Sequence, residues 1–214
     1  MKVTEALAKR RSVRAFLPTP VEKEKLTAVF EAAMRTPSWA NSQPWEVFVA
    51  TGAALENIKK SYAECYANNV TAMPETPRPA AWTEAAVQRR EQLQPDMRRD
   101  CGDAVAQFGK LNQTMFGAPV VIYLCMDKLL SQWSLYDIGA YSQSLMLAAI
   151  EYGLGTIPAM TLTLFPDVLH RELQIPENLK VTIGIAIGYT DTQNAINNFV
   201  SDRVPVTQNV RIID

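Results

Sequence analysis

The chain has 214 residues, 48% of them hydrophobic and 20% charged, a composition that fits one globular domain, or one with an excursion, and excludes a largely disordered chain. Its 21 Lys and Arg against 22 Asp and Glu leave a net charge of −1, which argues against a nucleic-acid partner, whose footprint is a broad basic excess. Cys65, Cys101 and Cys125 are widely spaced with no CxxC pair, so neither a disulfide framework nor a zinc site is expected and a reducing, cytoplasmic setting suits them.

The opening MKVTEALAKRR has no apolar run of the signal-peptide kind and reads as a short amphipathic helix. The longest apolar stretch, near 118–126, is far short of the roughly 20 residues that span a bilayer, so no membrane partner is expected. Thr19 and Glu22 are spaced as a capping box with Pro20 at the first helical position. Behind them Leu26, Val29, Phe30 and Ala33 give one apolar face, ended by Pro37. Residues 45–50 (WEVFVA) read as a strand, and the spacing of Ile58, Tyr62, Cys65 and Tyr66 reads as a second helix. Pro74, Pro77 and Pro79 then interrupt regular structure. The charge-dense stretch 83–103 reads as a solvated helical excursion that can break at Pro95, an insertion and not a second domain.

Residues 120–125 (VVIYLC) form a continuous apolar run of strand length, which implies burial on both faces. Residues 137–152 read as a helix with Ile138, Tyr141, Leu145, Ala148 and Tyr152 on one stripe. Gly139, Ala140 and Ala149 make the rest small and apolar, so the helix is expected to be central and nearly dry, stopped by Gly153 and Gly155. In the strand 181–189, Val181, Ile183, Ile185 and Ile187 are expected on one face and Thr182, Gly184, Ala186 and Gly188 on the other. A glycine and alanine face admits close packing by a helix or by a flat ligand. The single histidine, His170, reads as a surface or boundary residue and removes any mechanism that needs two imidazoles.

Two segments could carry chemistry. RRSVRAF, 10–16, places three arginines and a serine within five residues. Guanidinium forks match phosphate, each charge-assisted hydrogen bond contributing roughly 1.5–3 kcal/mol. If the segment is extended, Arg10, Ser12 and Arg14 share one side and Arg11 and Val13 the other. The same residues also read as a charged helix end favoured by the macrodipole. TPSWANSQPW, 36–45, is a polar loop able to read the edge of a planar heterocycle, or simply to connect. No GxGxxG after a strand, no P-loop, no GxSxG, no HExxH and no acidic calcium loop is present. Redox chemistry on a bound organic cofactor is the class that fits, with no metal expected.

RRSVRAF, TPSWANSQPW, DIGAYSQSLMLAAIEYGLGTIPAM and SDRVPV occur in this order and together resemble the FMN-dependent nitroreductase family over most of the chain, about 73–109 excepted. The resemblance implies a single α+β domain over 1–214. Its fold would be an α/β/α sandwich around a small mixed, mostly antiparallel sheet, paired as an extensive homodimer with FMN tightly bound at the interface. It places Arg10, Ser12 and Arg14, with Arg11 adjacent, and Arg203 at the FMN phosphate and ribityl chain. It brings Pro37, Ser38, Trp39 and Asn41 to the flavin of the other subunit. Pro158, Ala159 and Met160 pass the flavin face at N5, Met160 by its backbone N–H only. Lys110, Asn112 and Gln113 are candidates for the pyrimidine edge, Gln113 being the one carried into the site. Ser201 stands where a basic residue is common, which leaves the phosphate more to the N-terminal arginines. The implied activity is ping-pong: NAD(P)H, a transient donor, gives hydride to flavin N5 and is replaced by a nitroaromatic or quinone-like flat acceptor. No side chain need act as nucleophile or metal ligand. A flavin or quinone reductase, a dehydrogenase or a reductive dehalogenase on the same scaffold is the alternative, and a non-catalytic flavin-binding protein a second.

Overall fold

Strand β2 (Val120–Asp127) is buried along almost its whole length in the computed structural model, which describes residues 1–213. It pairs antiparallel with β1 (Glu46–Thr51) on one side and β4 (Leu179–Gly188) on the other. An edge strand, β3 (Gly155–Ala159), pairs antiparallel with β4, so the order is β1-β2-β4-β3. Among the described residues, parallel character is limited to one isolated bridge between Ser12 and Thr156.

Successive side chains of a strand point to opposite faces, and both faces of β2 are covered. Val121, Tyr123 and Cys125 pack with Leu55, Ile58 and Tyr62 of α3 (Gly52–Ala67) and with Val168 and Leu169 of α7 (Pro166–Leu173). Val120, Ile122, Leu124 and Met126 pack with Leu26, Val29 and Ala33 of α2 (Lys23–Ala33) and with Ile138, Tyr141 and Leu145 of α6 (Gln132–Glu151). This is the expected sandwich, and it explains why β2 is apolar without alternation. Burial pushes the Cys125 thiol up to about 12. No helix among the described residues is long and apolar enough to cross a membrane.

Several elements depart from the sequence reading. Helix α2 begins at Lys23, not at Pro20, and no Thr19 capping box forms. Glu22 is drawn away because its carboxylate accepts from the Tyr189 hydroxyl and from Lys25 Nζ. Helix α4 (Glu84–Cys101), capped by Thr83 Oγ1, runs unbroken through Pro95. The carbonyl that Pro95 cannot serve belongs to exposed Glu91, where water can take its place. Only Met97 and Cys101 of α4 are buried, against Ala15, Ile196 and Phe199. Helix α6 is dry on its inner face only: Trp133, Tyr136 and Gly139 are exposed. Gly153 turns the chain out of α6 with φ +73°, whereas Gly155 opens β3, where a Cβ would stand 2.6 Å from Val13 Cγ2.

In β4 the alternation holds from Ile183 onward and then slips. Leu124 pairs with Ile183 and Cys125 with Val181, so Thr182 bulges out and Val181 joins the α3–α7 layer instead of siding with Ile185 and Ile187. Thr182 Oγ1 donates to Leu124 O at 2.7 Å, and Val181 N–H donates to Glu75 Oε2 at 2.7 Å. Glu75 Oε2 also faces His170 Nε2 at 3.1 Å, which makes His170 a boundary residue as expected. The glycine face of β4 is filled by protein: a Cβ on Gly184 would lie 2.5 Å from the Cβ of Leu162, in the turn Met160–Thr163. Gly184→Ala should therefore destabilise the fold by about 1–3 kcal/mol through overpacking. A lowered urea midpoint at unchanged slope is the expected reading.

Candidate functional site

Helix α1 (Val3–Lys9) ends at Arg10, beyond which the backbone is extended and runs beside β3. Ser12 bridges Thr156, and Val13 N–H donates to Thr156 O at 3.0 Å. Val13 points into the core while Ser12 and Arg14 point away from it, and Arg11, expected on the Val13 side, reaches the same cavity as its neighbours. The far end of the chain is brought here by Asn197, in the turn Ala195–Asn198. Its Oδ1 accepts from the N–H groups of Arg14 (2.7 Å) and Ala15 (3.2 Å), and its Nδ2 donates to the carbonyls of Ala15 (2.8 Å) and Asp191 (2.9 Å). A buried amide with both oxygen and nitrogen doubly engaged is fully satisfied, and it holds 199–203 opposite the arginines.

Between the two segments lies a cavity of about 70 Å³, lined by Arg10, Arg11, Ser12 and Arg14 on one side and Ser201 and Arg203 on the other. The Arg14 guanidinium packs over Phe199 at 5.0 Å and Phe108 at 5.9 Å, and its Nη1 donates to Ser12 O at 3.0 Å. Its Nε is buried without a partner, and burial lowers its pKa. Arg203 Nη1 donates to Ser201 O, Ser201 Oγ and Asp202 O at 2.8–2.9 Å. Among the described residues no carboxylate lies within ion-pair distance of any of these four arginines. Four guanidinium groups without a carboxylate partner and room for one small group are the features that a phosphate-type anion requires.

The remaining candidates fall into two groups. Pro158 and Ala159 pair with Ile185 and Gly184 at the end of β3, and Met160 starts the turn beyond, all three half-buried. At the rise of a strand, Thr156 to Met160 covers about 13 Å, so a molecule anchored beside Ser12 has that length of strand edge to lie along. Helix α5 (Phe108–Gln113) borders both ends of this path. Its Asn112 Oδ1 accepts from Thr161 Oγ1 at 3.0 Å, while Gln113 is exposed.

Pro37, Ser38, Trp39 and Asn41 stand elsewhere and do not line the arginine cavity. Their loop is left-handed at three non-glycine positions, Ala40 (φ +50°), Asn41 (+56°) and Gln43 (+44°). Such strain persists only where surroundings enforce it. Here Ser38 Oγ accepts from Gln43 N–H at 2.9 Å, buried Asp137 accepts from Trp39 N–H at 3.3 Å, and Trp45 stacks on Tyr141 at 4.8 Å. The indole of Trp39 is left 67% exposed. Sequence reasoning missed Asn197, Asp137, Phe108 and Phe199. Each acts on a partner remote in sequence; Asp137 opens the motif DIGAYSQSLM but its contact with Trp39 cannot be read there, and the other three lie outside the motifs.

A sandwich in which residues 10–14 and 199–203 meet at a cationic cavity, with a strand edge leading away from it, has the room and charge to seat one elongated anionic small molecule. The model of the Nitroreductase family matches residues 7–189, and the chain belongs to that family. It is 30% identical over 200 residues to a 4-nitrobenzoate reductase of Pseudomonas putida, covering 90% of this chain and 87% of that protein. It is likewise 30% identical over 208 residues to nitroreductase NfnB of Mycolicibacterium smegmatis, covering 94% and 88%. Among solved structures, the FMN and NADPH-dependent nitroreductase NfnB from Sphigopyxis sp. strain HMH superposes with a TM-score of 0.92 at 30% identity over all of both chains. The FMN-dependent NfnB from Mycobacterium smegmatis, solved in complex with NADPH, gives 0.89 at 30% identity over 99% and 98%.

Asn197→Ala would strand the N–H groups of Arg14 and Ala15. The expected loss is about 1–3 kcal/mol for each buried donor left unsatisfied, measured by urea denaturation against the wild type.

Proposed function

We propose that the chain is an FMN-dependent NAD(P)H nitroreductase that reduces nitroaromatic or quinone-like flat acceptors in a ping-pong cycle. The observation that carries this reading is the carboxylate-free cluster of Arg10, Arg11, Arg14 and Arg203 around Ser12, at one end of the β3 edge. These residues would hold the FMN phosphate, the Arg14 guanidinium lining the cavity beside Ser12. Pro158, Ala159 and Met160 would border the ring, and Asn112 or Gln113 its pyrimidine edge. Bound FMN would supply the redox chemistry, taking hydride from NAD(P)H and passing it to the acceptor. The chain's own part is to anchor, to orient and to shape the space beside the ring, with no side chain as nucleophile. The relatives named above are nitroreductases, which favours nitroarenes over the dehalogenase and flavin-carrier alternatives.

A homodimer belongs to the same reading. Trp133 is 61% exposed, Tyr136 76% and Trp39 67%, large aromatic surface of the kind that a subunit interface would cover, which supports this reading. In the dimer, Pro37, Ser38, Trp39 and Asn41 would complete the site of the partner subunit. Sedimentation velocity with FMN content per chain checks this. A cytoplasmic location completes the reading, supported by three unpaired cysteines.

The deciding experiment is an absorbance spectrum of purified protein before and after anaerobic NADH or NADPH. A yellow protein bleached by either donor and reoxidised by a nitroarene is the expected result; folded protein that takes up no FMN overturns the proposal. Arg14→Ala should weaken FMN binding by about 1.5–3 kcal/mol, the scale of a charge-assisted hydrogen bond. Fluorescence titration measures this, and Arg14→Lys should recover only part because an ammonium lacks the planar fork.

A further inference from the structure

Arg78 lies outside every motif described so far. It belongs to the proline-rich stretch ahead of α4, and its Nε donates to Sδ of Met160 at 3.1 Å. The chain just before it is tied down at three points. Met73 N–H donates to Leu164 O at 3.1 Å, Thr76 Oγ1 donates to Val181 O at 3.4 Å, and the Glu75 carboxylate is held by Val181 N–H and faces His170. Arg78 is thereby kept against the turn Met160–Thr163, at the end of β3 remote from the arginine cavity.

A thioether is a weak acceptor. Among the described residues Arg78 has no carboxylate partner, and its terminal nitrogens have no protein acceptor. Two other cations of the excursion are engaged, Arg90 stacking on Trp82 at 4.5 Å and Arg99 pairing with Asp96 and Asp100, whereas Arg89 and Arg98 on α4 are not, among the described residues. What sets Arg78 apart is its contact with Met160. An exposed guanidinium with parallel donors free is shaped for two-point contact with an oxyanion.

We propose that Arg78 recognises an anionic group, carboxylate or phosphate, on the molecule that enters beside Met160: a carboxylated nitroarene acceptor or the nucleotide donor. The inference rests on the function proposed above, in which Met160 borders the flavin. Arg78 makes and breaks no bond; it selects and orients by charge.

The test uses FMN-loaded, full-length protein. Calorimetric titration compares 4-nitrobenzoate with 4-nitrobenzamide, a neutral analogue of similar shape, and steady-state assays with NADH and with NADPH give the KM of each. Arg78→Gln is expected to weaken 4-nitrobenzoate relative to the amide roughly tenfold or more, the scale of one charge-assisted contact. Arg78→Lys should recover part of that ratio, and added salt should erode it in the wild type. A penalty that follows NADPH and spares NADH, whatever the acceptor, assigns the same anion contact to the donor's extra phosphate and supports the proposal. Unchanged ratios with both donors in FMN-loaded Arg78→Gln overturn it and leave the nitroreductase reading standing. Wild-type protein that takes up no FMN overturns both.

Discussion

Asn197 accepts from the backbone N–H groups of Arg14 and Ala15 and donates to the carbonyls of Ala15 and Asp191. Through this one amide the first and last parts of the chain are fixed in register, since Arg14 lies 183 positions from it. Everything at the cationic cavity follows. The extended run after α1 is held between the β3 edge on one side and Asn197 on the other, so its side chains have few directions open to them. Arg203 is carried to the opposite wall by the five-residue stretch that leaves the same turn through Phe199. An aspartate here would keep the acceptors but lose both donors; a leucine would fill the space and satisfy nothing.

The electrostatics make the cavity an incomplete structure on its own. Arg14 is packed between two aromatic rings with a nitrogen out of reach of water, and its environment already disfavours the charge it carries. Like charges on Arg10, Arg11 and Arg203 add repulsion. A bound dianion offsets the repulsion and gives Arg14 a counter-charge, so occupancy and folding stability are coupled, and the fold gains whatever free energy the anion supplies. The same reasoning explains why acidic residues are kept off these walls: a carboxylate would settle the local charge and remove the reason for an anion to bind.

Much of the fold was legible because its determinants are local. The run 120–125 could be read as a doubly covered strand from hydrophobicity alone, and α3 from its spacing, because burial acts on each residue where it stands. The arginine cluster was legible by residue type, since few other chemistries need several guanidinium groups and a hydroxyl together. What escaped was set by remote partners. The Thr19 box lost its glutamate to Tyr189, 167 residues away. Val181 changed faces because the register of β2 against β4 slips, which no pattern within β4 alone records. Strand β3 is five residues long with a proline in it, too short to show as a strand before its partner is seen; of its residues only Gly155 reads as part of a helix stop. Asn197 and Arg78 act only through contacts that the chain order conceals.

The bulge at Thr182 has a bearing on how such a scaffold diversifies. By stepping out of the ladder, the sheet leaves one amide, that of Val181, with no strand to serve, and Glu75 plugs into it from the excursion. The irregularity works as a socket. The stretch between Thr76 and the buried part of α4 can change in length or charge without re-registering a strand, because the attachment at Glu75 uses a donor that the sheet has set aside. The anchoring of the excursion and the pairing of the strands thereby draw on different backbone groups.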